Sequence, residues 1–114
     1  MSDCVFCKIV KGEIPSVKVY GDEQATAFRD INPVAPTHIL VIPNKHIASI
    51  NDVEDADQAL LGHLLLVVKK IAAQEGLAAD GYRLIVNTGA HAGQVVHHIH
   101  IHIIGGARLK HPMG

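Results

Sequence analysis

Residues 96–106 read VHHIHIHIIGG, with four histidines inside six positions, and His98, His100 and His102 alternate with Ile99, Ile101 and Ile103. Alternation with a period of two predicts a strand over residues 97–104, because successive side chains of an extended chain point to opposite faces. The isoleucines then belong to a core. The three histidines share the other face, with neighbouring imidazoles roughly 6.5–7 Å apart.

The segments upstream supply the rest of a sheet. Val17 to Tyr20 and Ala25 to Arg29 are two β-type runs joined across Gly21-Asp22, a hairpin pattern. After the proline-punctuated INPVAPT, the branched run HILVIP from His38 to Pro43 predicts a buried strand, and YRLIVN over residues 82–87 predicts another. From Asp52 onward, Glu54, Asp55 and Asp57 crowd one end and Lys69 and Lys70 the other, while Leu60, Leu61, Leu64, Leu65, Val68 and Ile71 recur at helical spacing. This predicts one long amphipathic helix with charges matched to its dipole, ending near Gly76. A short helix from Cys4 to about Lys11 is expected at the N-terminus, capped by Asp3 and stopped by Gly12. The order suits an α+β domain, a mostly antiparallel sheet covered on one face by the long helix, with residues 1–114 as a single domain.

Composition narrows the function classes. With 48% apolar and 18% charged residues the chain reads as a compact globular protein, and a net charge of −1 gives no broad attraction for nucleic acid. Charges break every apolar stretch before it reaches the roughly 20 residues of a membrane span, and MSDCVFCK lacks a signal-peptide pattern, so the expected location is cytoplasmic. Nine histidines and a Cys4-x-x-Cys7 pair are the unusual features.

A row of imidazoles suits nucleophilic and acid–base chemistry, one ring attacking while a neighbour handles the proton. Two other readings stay open from the residues alone: solvated strand positions, or a catalytic metal site using His98 and His100 at i, i+2. One site formed by all three histidines of a straight strand is disfavoured, because metal–nitrogen bonds are only about 2.1 Å. Gly89 and Gly93 in the preceding loop can turn backbone amides inward as an anion nest, which makes phosphate the natural target.

The His-φ-His-φ-His-φ-φ pattern (φ apolar), with FRDINPVAPTHILVIP before it and GG after it, resembles the histidine triad (HIT) family in its Hint-type branch of purine nucleoside phosphoramidases. The resemblance runs from CVFCKIVKGEIPS to HPMG. It implies a five-stranded HIT-like sheet with one long and one short N-terminal helix, assembled as a homodimer. It implies that His100 attacks the α-phosphorus of a nucleotide to form a covalent nucleotidyl-histidine, that His98 flanks the support of its tautomer, that His102 helps protonate the leaving group, and that His38 is a fourth site histidine. Asp30 matches the residue that binds the ribose hydroxyls; Val5, Phe6, Ile9, Phe28 and Ile31 match the pocket for the base; Asn87 and the amides around Gly93 and Val95 match the phosphate-binding positions. Val95 stands where several members carry a serine, and His111 where some carry a tryptophan that reaches the partner subunit. A dinucleoside polyphosphate hydrolase, and a nucleotide-binding regulatory module with incidental catalysis, are the competing functions.

Cys4 and Cys7, one helical turn apart, can reach a single ion. The alternative is two small apolar side chains packing on the sheet. By similarity to some prokaryotic members, His46 and His98 complete a structural zinc site with this pair. No organic cofactor is expected.

Overall fold

A computed structural model of the chain describes residues 4–113. Helix α1, Val5–Val10, is followed by strands β1 (Lys18–Gly21), β2 (Ala25–Arg29) and β3 (Thr37–Pro43), helix α2 (Gln58–Gln74), and strands β4 (Tyr82–Ile85) and β5 (Ile101–Gly105). The strands form one antiparallel sheet in the order β1-β2-β3-β5-β4. The fold is thus the expected α+β arrangement. No helix of the described residues is long and apolar enough to cross a membrane.

Register assigns the two faces. Ala27, Val41 and Ile101 are direct partners across β2, β3 and β5, as are Ile39 and Ile103 across β3 and β5. With Ala25 they pack against Leu64, Val67, Val68, Ile71 and Ala72 of α2. The two alanines leave room for the helix to approach, and burial of the branched side chains supplies the driving force at about 25 cal/mol per Å² of apolar surface. The row Phe28, Leu40, His102 and Ile85 runs across the other face. There Phe6 and Ile9 of α1 cover Phe28, Leu40 and Ile42.

Several boundaries differ from the sequence reading. The last strand starts at Ile101, not His97: Ile99 N–H bonds the carbonyl of Ile47 (2.7 Å), outside the ladder, so His98 and His100 sit on the irregular approach to β5. The strand expected over residues 82–87 stops at Ile85. Residues 52–57 do not extend the long helix. Ile50–Asp52 and Asp55–Asp57 are 3₁₀ turns, the second closed by a reciprocal Glu54/Asp57 capping box, so the acidic cluster starts α2 rather than forming its first turn. On α2, Leu65 faces solvent and Val67 takes its place in the core. Asp3, expected to cap α1, lies outside the described residues; the N-cap is Cys4, whose Sγ accepts from Cys7 N–H (3.4 Å). Gly12, at φ +77°, provides the left-handed stop beyond Lys11.

Candidate active site and metal centre

Between α1, the end of β2 and the loop before β5 lies a cavity of about 570 Å³. Its apolar lining includes Val5, Phe6, Ile9 and Phe28, and its polar lining Asp30, His38, Asn87, His100 and His102, with Gly93 and Val95 contributed by the loop before β5. All nine residues expected to bind substrate and three of the four expected catalytic histidines therefore line one space. Ile31 and Val95 are 90% and 84% exposed, so they form its rim rather than its wall.

His98 is the exception. The expected row of three histidines on one face is divided: His98, fully buried, turns away from the cavity toward Cys4, Cys7 and His46. Its backbone nevertheless serves the cavity, because His100 Nδ1–H donates to the His98 carbonyl (2.7 Å). That bond fixes the His100 tautomer and leaves the Nε2 lone pair for chemistry. The rings of His100 and His102 are 5.0 Å apart, closer than a straight strand provides.

A second chain of hydrogen bonds sets the protons of His38 and His102. Val34 N–H donates to His38 Nδ1 (3.2 Å), so the proton of neutral His38 resides on Nε2. Nε2–H donates to His102 Nδ1 (2.9 Å), with Asp30 Oδ2 at 3.4 Å. The proton of His102 is thereby placed on its Nε2, a buried atom with no partner among the described residues. Asp30 is held in turn by Asn32 N–H on Oδ1 (2.8 Å). Burial, reinforced by the neighbouring imidazoles, pushes His102 down to about 4; burial also lowers His38 and His98, opposed at His38 by the Asp30 carboxylate. The Asp30, His38 and His102 ligand atoms are close enough to surround an ion. The Val34 bond speaks against one there, since it keeps a proton on the His38 nitrogen that would have to ligate.

The opposite pattern holds around the cysteines. His98 Nε2–H donates to the Pro43 carbonyl (2.8 Å), which leaves Nδ1 unprotonated. Nδ1 approaches Cys4 Sγ (3.3 Å), Cys7 Sγ (3.6 Å) and His46 Nδ1 (3.3 Å), and Cys7 Sγ lies 3.3 Å from His46 Nδ1. Metal–ligand bonds of about 2.0–2.3 Å at tetrahedral angles imply ligand separations of roughly 3.3–3.8 Å, so four soft or borderline donors stand at the spacing of one ion. Burial and the adjacent Cys4 push the Cys7 thiol up, a cost that a cation between the sulfurs removes. The paired His98–His100 metal site is not formed: the two imidazoles serve different partners.

The loop before β5 is shaped by a residue that sequence reasoning missed. Gln94, 8% exposed, accepts from Gly89 N–H (2.9 Å) and donates to the carbonyls of Ala48 (2.7 Å) and Val96 (3.1 Å). Nothing in a single sequence marks a glutamine as buried. Gly89 and Gly93, at φ +82° and +78°, turn the loop, but the Gly93 N–H is committed to the Ala90 carbonyl (3.0 Å). Val95, which lines the cavity, has a backbone N–H with no hydrogen-bond partner among the described residues, so it is one of the loop amides open to an anion. His111 lies outside the cavity; its carbonyl accepts from Arg83 on β4 (3.0 Å).

Comparison with known proteins agrees with this geometry. The HIT domain family model matches residues 11–109. The chain is 55% identical over 107 residues to the purine nucleoside phosphoramidase of Escherichia coli, covering 94% of this chain and 90% of that protein. Among solved structures, a HIT family hydrolase from Legionella pneumophila superposes with a TM-score of 0.95 at 53% identity, covering 98% of this chain and all of that one. A histidine triad protein from Clostridium difficile superposes with the same score at 47% identity, covering 99% and 98%.

Proposed function

The chain belongs to the HIT domain family, and from that premise we propose that it is a hydrolase cleaving the P–N bond of purine nucleoside 5′-phosphoramidates through a covalent nucleotidyl-histidine. The observation that carries this reading is the His100 Nδ1–H bond to the His98 carbonyl, which presents Nε2 as a nucleophile in a cavity lined by both apolar and polar side chains. His100 Nε2 attacks the α-phosphorus; the new P–N bond forms as the bond to the amine breaks, and the departing nitrogen takes the electron pair. His102 protonates that nitrogen from Nε2, and then accepts a proton from the water that cleaves the nucleotidyl-imidazole to the nucleoside monophosphate. Negative phosphate bound beside His102 favours its protonated form. Asp30 accepts from the ribose hydroxyls, Phe6, Ile9 and Phe28 enclose the purine, and Asn87 and Val95 N–H contact the phosphate.

The test is intact mass after acid quench with adenosine 5′-phosphoramidate, beside steady-state turnover. An adenylyl adduct is expected on the wild type and not on His100→Ala, with turnover reduced at least 10³-fold in the variant, the order lost when a nucleophile is removed. Normal turnover by His100→Ala would overturn the assignment.

The reading includes a structural zinc held by Cys4, Cys7, His46 and His98, supported by the ligand spacing and the His98 tautomer. Zinc held there would cross-link α1 to the segments of His46 and His98 as a structural ion. Metal analysis of protein purified without added metal is expected to give about one zinc per chain. Free thiols suit a cytoplasmic location. A homodimer is supported by the edge strand β4, whose Tyr82, Leu84 and neighbouring Val86 are exposed.

A further inference from the structure

Helix α1 contributes to two sites at once. Cys4 at its N-cap and Cys7 in its first turn face His98 and His46, while Val5, Phe6 and Ile9 form the wall of the cavity that takes the base under the reading above. Phe6 lies between the two. Its ring meets Phe28 at 5.4 Å, His98 at 5.9 Å and His100 at 5.1 Å, in each case edge to face. A helix of six residues has no stability of its own, since isolated helices below about 12 residues are marginal in water. Its position therefore depends on what docks it. Three buried side chains, Phe6, Cys7 and Ile9, hold it to the sheet, and one of these is a member of the metal-binding set.

We propose that the four-residue Cys/His cluster is a positioning device for the nucleotide pocket: a metal ion held by Cys4, Cys7, His46 and His98 docks α1, and docked α1 presents Phe6 and Ile9 to the base and sets Phe6 against His100. Metal and nucleotide binding are then positively linked, each raising the affinity for the other by the same factor. The linkage acts through the base and not through the phosphate, because the phosphate side of the cavity, Asn87 and Val95, lies on segments that α1 does not carry. The proposal rests on the nucleotide reading of the cavity and adds a dependence on metal occupancy.

The experiment compares Zn2+-loaded protein with protein stripped by chelator, using AMP and ribose 5-phosphate as probes in calorimetric titrations. AMP is expected to bind about tenfold more tightly to the loaded form, within the usual range of coupling between sites, and ribose 5-phosphate less than about twofold more tightly, since it lacks the base. Cys4→Ser keeps a side chain suited to the N-cap while removing a sulfur ligand. This variant should bind AMP as the stripped wild type does, with Zn2+ added at one equivalent. Equal AMP affinity in the loaded and stripped wild type overturns the proposal, as does an equal gain for both probes, which would make the metal a support of the whole fold. If neither form binds AMP, the nucleotide reading fails, and the docking claim is decided by hydrogen exchange. The amides of Lys8, Lys11 and Gly12, which bond to Cys4, Cys7 and Ile9 carbonyls, should exchange about tenfold more slowly with Zn2+, a typical effect of suppressing local opening. Unchanged exchange at these amides overturns the coupling whatever the cavity binds.

Discussion

A single backbone bond decides what each histidine can do. His98 and His100 are two residues apart in sequence, yet one gives its Nε2 proton to Pro43 and the other its Nδ1 proton to His98, so their free nitrogens differ. The Val34 N–H performs the same service for His38 and, through it, for His102. These buried rings also make stability depend on pH. His102, lowered to about 4 from 6.5, stays neutral in the fold while the unfolded chain takes up a proton below pH 6.5. Stability is therefore complete above pH 6.5, falls as pH drops, and levels near pH 4, with a loss on the order of 2–3 kcal/mol from this group. His38 is displaced in the same direction and adds to the decline. Urea midpoints measured from pH 7.5 to 4 should show the fall, and His102→Asn should make it shallower; a flat profile in the wild type would contradict the buried neutral state. The alternation of His98, His100 and His102 was legible as a histidine site. The backbone support of the His100 tautomer at His98 was expected too, but the tautomers of His98, His38 and His102 were not legible, because carbonyl and amide partners from residues 43 and 34 are brought near only by folding.

At the scale of elements, the loop between β4 and β5 matters as much as the strands. Its shape rests on the three hydrogen bonds of Gln94, which tie Gly89 and Val96 to the segment after β3. Gln94→Leu keeps the volume and leaves these backbone groups unpaired in a buried place, at about 2–4 kcal/mol of stability by the usual cost of unsatisfied polar groups. Under the proposed reading, in which the loop serves the phosphate, AMP affinity should fall more than tenfold and adenosine affinity less than threefold; titration of both ligands checks this. Parallel losses would mean that Gln94 supports the fold and not the phosphate site. On the far side of the β3–α2 connection, Lys45 donates to the buried Asp57 carboxylate (2.6 Å), whose acidity this bond strengthens. This ties the capping turn of α2 to the residue next to His46. Element types were readable from the 2.0 and 3.6 periods of the apolar residues, but boundaries were not. Residues 97–100 have strand patterning without a strand partner, and residues 52–57 have helix-start chemistry that closes a tighter turn.

For the whole molecule, the sheet divides the labour: one face buries α2 and carries stability, and the other carries the cavity and the metal-type cluster under α1. β4 is an exposed edge of that sheet, and under the proposed homodimer reading it is where a second copy would join. Light scattering is expected to give twice the chain mass. Leu84→Lys, a charge placed on that edge, should give a monomer without loss of secondary structure. A monomeric wild type at micromolar concentration would remove the homodimer from the reading.

The sequence by itself determined the fold class and the face on which His100 and His102 lie relative to α2, because these follow from periodicity; which residues line the cavity was expected only from the resemblance to the HIT family. The gathering of Cys4, Cys7, His46 and His98 and the place of Val5, Phe6 and Ile9 at the cavity were expected from the family resemblance. Tertiary structure alone decided that the His98 ring thereby leaves the face expected to hold it with His100 and His102, that His38 Nε2 reaches His102 Nδ1, and that Gln94 ties the loop before β5 to Ala48. Each of these depends on contacts between residues tens of positions apart, and such contacts are set by how β2, β3 and β5 pair and what then packs on them.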